Sequence, residues 1–486
     1  MDAAPARGPR HGHRDLTKGP ILRTLLVFSL PTLASNILQS LNGSVNSVWV
    51  GRLLGESALA ATANANVVMF LVFAAVFGFG MAATVKVGQS FGAGNVDAAR
   101  RTFGTATGFC ILLSLVVATA GWLLAPALLH AMSTPGEVYT FALAYLRVIF
   151  VAMPASMITV MLGMGLRGAG DAQTSLRFMI LSVVLDVALN PLLIAGIGPF
   201  PKLGIAGAAL ATAIASYVSM IGLVIYVYAR NLPLRLRGPE LAYLIPSRAE
   251  LRYIVTKGLP MGAQMLLISM AGIIMVGLVN REGAMASAAY GASLQVWTYL
   301  QMPAMAISAA LSAMAAQAIG AGLSDRLGRI TRAGLILNTS ITGAMTLLLL
   351  GFDRPVLELF LGAGSPAVDL ARHIQFLASW SYVLFGITIV LFGAMRAGGV
   401  VVAPLVVLAI AMYPGRIGFY ALAYPRIGTD ALWIAFPVGS AVAVVLSIIA
   451  YRRPGWRDKA RAVDEDECAE ETHVDGDTAG RMAPSL

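Results

Sequence analysis

Twelve apolar runs, each long enough to cross a bilayer, constrain this chain more than any other feature. A membrane-spanning helix needs ~20 mainly apolar residues. The runs fall at about 21–50, 57–85, 103–129, 138–162, 176–197 and 204–228, then at 258–280, 287–316, 333–351, 373–395, 400–423 and 430–450. Inside hydrocarbon every backbone N–H and C=O must find a partner within the protein, and runs of this length meet that demand as helices. Composition agrees: 58% of the 486 residues are hydrophobic and 12% charged, where a soluble domain carries about 25% charged residues. The expected fold class is therefore an all-α integral membrane protein of twelve transmembrane helices. The formal charge of +10 does not point to nucleic acid, because Lys and Arg lie in short loops between apolar runs and report topology instead.

Residues 1–19 are polar, without the apolar core of a cleavable signal peptide, and carry Arg7, Arg10, Arg14 and Lys18. They predict a cytoplasmic N-terminus. An even number of spans then returns the C-terminus to the same side. The loops so placed inside hold Arg100, Arg101, Arg167, Arg230, Arg235, Arg237, Arg248, Arg252, Lys257, Arg326, Arg329 and Arg396. The outside loops hold Arg52, Lys202, Arg281, Arg354 and Arg426. The longest polar gap, 229–257, reads as a cytoplasmic linker between bundles at 20–228 and 258–452. Residues 453–486 read as a disordered cytoplasmic tail, acidic from Asp464 onward. Cys110 and Cys468 offer neither a disulfide nor a metal spacing.

The halves repeat at a shift of about 229. Ser29-Leu30-Pro31 matches Gly258-Leu259-Pro260, and Gln89-Ser-Phe-Gly92-Ala-Gly94 matches Gln317-Ala-Ile-Gly320-Ala-Gly322. Arg167-Gly-Ala-Gly170 matches Arg396-Ala-Gly-Gly399. Six spans per half give both copies the same orientation, related by an axis along the membrane normal. Transporters built this way place their substrate site between the halves.

One carboxylate stands in mid-span, Asp186, with Ser182 and Asn190 four residues to either side. A helix stacks the three on one face, and Pro191 interrupts the backbone ladder just beyond them. A charge at mid-membrane costs ~2.5–3.5 kcal/mol even on insertion scales, so such a residue is a functional candidate. The alternative is an acid that only hydrogen-bonds a neighbouring helix. Asn36, Gln39, Asn42 and Asn46 recur at steps of three and four along the first span, a polar stripe expected to face the bundle interior or water. The second half has no acid well inside a span; its intramembrane cation is Arg416, and Arg147 in the first half is placed to snorkel outward. Nine methionines lie between 261 and 345, among them Met265 and Met302, with Tyr290, Gln295, Trp297, Tyr299 and Gln301 nearby. Thioethers and aromatics make surfaces that adapt to varied ligands. The expected substrate pathway is thus Asn36, Gln39, Tyr290, Gln295, Tyr299, Met265 and Met302, with Pro31 and Pro260 as hinges. Five scattered histidines and the absence of a nucleophile–base pair argue against an enzyme. Gly-Ala-Gly at 92–94 and 320–322 lacks the lysine of a phosphate loop.

The chain resembles the multidrug and toxic compound extrusion (MATE) family. The likeness rests on the two Gln-x-x-Gly-Ala-Gly loops, Leu-Pro-Thr-Leu-Ala-Ser-Asn-Ile-Leu-Gln-Ser-Leu at 30–41 and Val-Trp-Val-Gly-Arg-Leu-Leu-Gly at 48–55. It extends to Leu-Arg-Gly-Ala-Gly-Asp at 166–171, Asn-Pro-Leu-Leu-Ile at 190–194 and Gly-Ile-Ala-Gly-Ala-Ala-Leu-Ala-Thr at 204–212. It implies two six-helix bundles set in a V in the cell membrane. It also implies export of organic, often cationic, small molecules in exchange for H⁺ or Na⁺, with no other cofactor and the bilayer as surroundings; a monomer is expected. The sequence departs from the family pattern. Asn46 stands where many members carry an acid, Asp186 precedes Asn190 where the reverse order is common, and Ile268 stands where some carry a span-seven Glu. The ion site carried over is Asp186 with Asn190, Asn46 and Asn42. A lipid-linked saccharide flippase of the same helix plan is the rival function. It would want a cavity rich in Arg and Lys, and the spans as read offer Arg147, Arg416 and Lys86.

Overall fold

Each apolar run folds as helix. The computed structural model describes residues 15–131, 136–199, 201–362 and 364–453, and all regular structure among them is helical. Most of the N-terminal tail, and the acidic tail beyond Arg453, lie outside the described residues. The first half holds α1 (Ile21–Leu54), α2 (Glu56–Gly92), α3 (Val96–Ala131), α4 (Gly136–Gly168), α5 (Ala172–Ala195) and α6 (Ile205–Ala229). The second holds α7 (Arg248–Asn280), α8 (Ala284–Gly320), α9 (Ser324–Gly351), α10 (Asp353–Leu361), α11 (Ala367–Ala378), α12 (Trp380–Ala397), α13 (Val402–Ile410), α14 (Phe419–Ile427) and α15 (Asp430–Arg452). Twelve spans are long and apolar enough to cross a membrane, with α13, the π-helical turn Ala411–Gly418 and α14 forming one of them. Several outrun the apolar runs. α7 starts at Arg248, ten residues before its run, since extending a formed helix into a polar interface gains one hydrogen bond per residue. The tenth run divides at Ser379 into α11 and α12.

The repeat is carried into space. Shifting α2 by 229 gives 285–321, against the observed Ala284–Gly320; shifting α5 gives 401–424, against Val402–Ile427. Shifting α4 gives 365–397, the extent of α11 and α12 together. The cores are built on corresponding helices, α2 with α4 and α8 with α12, which are the most enclosed spans.

The halves clasp each other at the end carrying the basic loops. A methyl group on Gly92 would run into the Gln317 carbonyl oxygen, and one on Gly320 into the Gln89 carbonyl oxygen. Small residues let two backbones approach this closely, and the reciprocity is what a twofold relation demands. The side chains of the same glutamines complete the clasp. Gln89 Nε2 donates to the Ala397 carbonyl at 2.7 Å and Gln317 Nε2 to the Gly168 carbonyl at 3.0 Å, again 229 apart. Leu16, fully buried, donates its N–H to Gln317 Oε1 at 3.2 Å, so the N-terminal segment lies over the junction. Gly78 and Gly258 seat α2 against α7 in the same region. From this junction the halves part as the arms of a V.

The linker is more structured than a polar gap suggests. Leu232, Leu234 and Leu236 are buried, and the 3₁₀ turn Gly238–Leu244 lies on α3 where Gly104 and Gly108 leave room for it. Arg100 meets Glu240 at 2.7 Å and donates to the Pro233 carbonyl at 2.8 Å; Thr102 donates to Glu250 at 2.8 Å. Alternating leucines bury one edge of an extended segment, a period that the arginines between them conceal.

Candidate functional site

Asp186 is 2% exposed, inside the first half between α1, α5 and α6. Asn42 Nδ2 on α1 donates to Asp186 Oδ2 at 2.8 Å, and Thr212 Oγ1 on α6 donates to Oδ1 at 3.0 Å. Asn190 Nδ2 reaches Oδ1 at 3.2 Å and the Asp186 backbone carbonyl at 3.1 Å. Buried Tyr145 of α4 is within side-chain hydrogen-bond reach of Asn46 and electrostatic reach of Asp186. Four helices thus converge on one carboxylate. Three neutral donors, each worth ~1.5–3 kcal/mol against a charged acceptor, together exceed the ~2.5–3.5 kcal/mol of placing a charge at mid-membrane. Ionised Asp186 is therefore tolerated here. The amide oxygens Asn42 Oδ1, Asn46 Oδ1 and Asn190 Oδ1 are buried without a hydrogen-bond partner. With the carboxylate they form a set of oxygen acceptors larger than the donors present, the chemistry of a hard-cation site.

A second locus lies between the halves. A cavity of about 290 Å³ is bounded by Thr32 and Asn36 of α1, Phe77, Met81 and Thr84 of α2, Met164 and Arg167 of α4, and Met261, Gln264 and Met265 of α7. Gln301, Met305 and Ser308 of α8, and Phe385, Ile389 and Arg396 of α12, close the other side. The wall is mostly thioether, aromatic and aliphatic, with a few polar groups, as small-molecule sites generally are.

The structure brings Asp186, Asn190 and Asn42 together, with Asn46 joined to them through Tyr145. It divides the α1 stripe. Asn36 faces the central cavity while Asn42 faces Asp186, because six residues at ~100° each leave them ~120° apart around the helix. Gln39 is exposed and does not line the cavity. Met265 lines it, but Met302 is buried in packing. Tyr290 is 3% exposed within an aromatic cluster, its ring centroid 6.0 Å from Trp297 and 5.8 Å from Trp433. Its bulk serves the core of the second half. Gln295 and Tyr299 also lie off the cavity, where Gln301 takes the lining position on α8. Pro31 and Pro260 each immediately precede a lining residue, Thr32 and Met261. Arg147 and Arg416 stack on aromatic faces, Cζ 4.9 Å from the Trp122 centroid and 4.4 Å from that of Phe436.

Four residues of these loci lie outside the sequence reading. Thr212 stood in a family-like string and Tyr145 in an unmarked span. Arg167 and Arg396 were assigned to inside loops; they occupy the last turns of α4 and α12 and line the central cavity. The signal was present in the repeat itself, where the two arginines are partners at a shift of 229.

Two repeated six-span halves with one polar pocket inside a half and one cavity between them define a multi-pass membrane transporter. The MatE family profile matches twice, at residues 31–192 and 260–422, and the chain belongs to this family. The two matches begin 229 residues apart, the interval of the repeat. The chain is 34% identical over 445 residues to "Probable multidrug resistance protein YoeA" of Bacillus subtilis, covering 91% of this chain and 96% of that one. It is 28% identical over 319 residues to the "FAD transporter" of Shewanella oneidensis, 65% of this chain and 69% of that protein. The structure of the MATE transporter VcmN of Vibrio cholerae superposes with a TM-score of 0.83 at 20% identity, over 90% of this chain and 98% of that one, and shares its fold.

Proposed function

We propose that this chain is a secondary active exporter that moves organic small molecules out of the cell in exchange for a cation entering at Asp186. The observation that carries this reading is the buried Asp186 carboxylate ringed by Asn42, Asn190 and Thr212, beside three unpartnered amide oxygens. Those oxygens favour Na⁺, which uses them as ligands; H⁺ needs the carboxylate alone and is the second reading. The basic end faces the cytoplasm by the positive-inside bias, so the V opens outward and both termini lie inside. The relatives carry multidrug resistance names and, in one case, a flavin dinucleotide name, so kinship supports small-molecule export and leaves the substrate class to the cavity. They do not favour the flippase reading. Reconstituted protein loaded with a fluorescent probe should show efflux that rises on imposing an inward Na⁺ gradient. Efflux that answers only a pH gradient assigns the second reading.

Asn46→Asp would place a second carboxylate beside Tyr145. Two acids in one pocket resist joint ionisation and titrate in two macroscopic steps. The expected outcome is a transport–pH profile with a second inflection, or a steeper Na⁺ dependence, read from efflux rates between pH 5 and 9. An unchanged profile would place Asn46 outside the ion pocket.

Pro31 and Pro260 occupy equivalent places, yet only α1 joins the central cavity to the Asp186 pocket, through Asn36 and Asn42. A change at Asp186 is felt by α1 directly, and the backbone bond missing at Pro31 is what lets that helix bend. Pro31→Ala is expected to slow efflux several-fold more than Pro260→Ala at matched expression. Equal losses would make both prolines packing devices.

A further inference from the structure

The charge of the central cavity has the opposite sign to the ion pocket. Its described lining contains two charged side chains, Arg167 and Arg396, and no acid. Neither arginine lies within salt-bridge distance of a described carboxylate. Arg396 spends one donor, Nη2 to Ser308 Oγ at 3.0 Å, while its Nε is buried without a partner. The Ser308 hydroxyl passes its own proton to the Ile389 carbonyl at 2.7 Å, so Ser308 supplies no negative charge. Arg167 makes no side-chain hydrogen bond or ion pair to any described residue. Guanidinium carries five donors in a planar fork, shaped for a carboxylate, sulfonate or phosphate. Uncompensated cations in a largely apolar cavity are costly. A bound anion removes that cost, and a cationic guest would add to it.

The two arginines are partners in the repeat, so the twofold relation brings one from each half to a cavity that both halves must share during transport. Met81, Met164, Met261 and Met305 surround the space on the other sides, an adaptable apolar wall for the body of a guest. From this juxtaposition we infer that the central cavity binds organic anions: an acidic headgroup held between Arg167 and Arg396, with an apolar or aromatic body among the methionines. The inference rests on the exporter reading above for its place in transport, and it names the substrate class of the cavity. It also separates the two cycles in space, since Asp186 is not among the lining residues and the anion and the coupling cation occupy different pockets.

Equilibrium binding, with no gradient applied, tests this apart from transport. Purified protein in nanodiscs is titrated with carboxyfluorescein as the anionic probe and ethidium as the cationic one, following fluorescence anisotropy. Carboxyfluorescein is expected to bind at least about tenfold more tightly than ethidium, the discrimination that two charge-assisted contacts readily supply. Arg167→Gln and Arg396→Gln should each weaken it by about tenfold or more while leaving the weak ethidium signal in place. 1-Naphthyl phosphate and dodecyl phosphate serve as competitors. Displacement by the first assigns a soluble organic anion, and displacement by the second alone assigns a lipid-type headgroup; both sustain the inference. Tighter binding of ethidium by the unaltered protein, or carboxyfluorescein binding that neither competitor displaces, overturns it without recourse to any variant. Binding as expected with no gradient-driven movement would instead count against the exporter reading alone.

Discussion

Asp186→Asn is expected to abolish ion-driven efflux while the protein still folds and inserts. The substitution keeps the shape and removes the one acid of the pocket, so no charge remains to be neutralised by an entering cation. Asn42, Asn190 and Thr212 retain an acceptor in the new amide oxygen, and the neutral side chain avoids the mid-membrane cost of ~2.5–3.5 kcal/mol. Stability should therefore hold or rise slightly, while the response of efflux to an imposed Na⁺ or pH gradient falls to that of protein-free vesicles. Binding in the central cavity should persist, because Arg167 and Arg396 are untouched. A variant that pumps as well as the parent would remove Asp186 from the coupling step. A variant that fails to fold would make the residue a structural strut, and its thermal midpoint distinguishes the two.

The second large effect is expected at the clasp. Replacing Gly by Ala in an open helix gains up to ~1 kcal/mol. At Gly92 and Gly320 the added methyl meets the carbonyl oxygen of Gln317 or Gln89, and a backbone group cannot rotate out of the way. Overpacking of this kind costs ~1–3 kcal/mol per site, and the two helices can relieve it by parting where the halves are joined. The Gly92→Ala/Gly320→Ala double variant should therefore open the basic end. Ser90 is buried there, 8% exposed. In a background with Cys110 and Cys468 replaced by serine, Ser90→Cys should label roughly tenfold faster in the double variant, the change that ~1.4 kcal/mol of opening produces. Unchanged labelling and an unchanged thermal midpoint would show that the close glycine contact does not hold the end shut.

The helices were legible because hydrocarbon leaves a long apolar run no other form, and the repeat was legible because Gln89/Gln317 and Arg167/Arg396 recur at one interval. The Asp186 pocket was half legible. Asn190 follows from a step of four on the same helix, whereas Asn42, Thr212 and Tyr145 come from three other helices, and no local period links them. The central cavity was the least legible. An arginine in the last turn of a span looks the same in sequence whether it faces cytoplasm, as the topology rule assumes, or a cavity, as Arg167 and Arg396 do. Aromatics misled in the opposite direction. Tyr290 has the character of a ligand contact, but its neighbours Trp297, Trp433 and Phe436 enclose it, and partners so remote in sequence are visible only in the fold.

The asymmetry between the halves is a consequence of the same repeat. The position 229 residues after Asp186 is Gly415, beside Arg416, in the π-helical turn of the second half. π turns recur at functional sites, yet here the local charge is positive and stacked on Phe436. A coupling cation therefore has one half to enter, and the second half follows as a body through the shared clasp.

The measurement that bears most directly on coupling follows both partners at once. Proteoliposomes of oriented protein are loaded with carboxyfluorescein, and dye efflux and ²²Na⁺ uptake are recorded in the same vesicles with and without an imposed Na⁺ gradient, for the parent and for Asp186→Asn. Exchange through the Asp186 pocket predicts dye leaving against its own gradient, with ²²Na⁺ or, in the second reading, H⁺ entering in fixed proportion, and both fluxes lost together in the variant. Dye that only equilibrates down its own gradient, at a rate indifferent to Na⁺, to pH and to the residue at 186, would contradict the account.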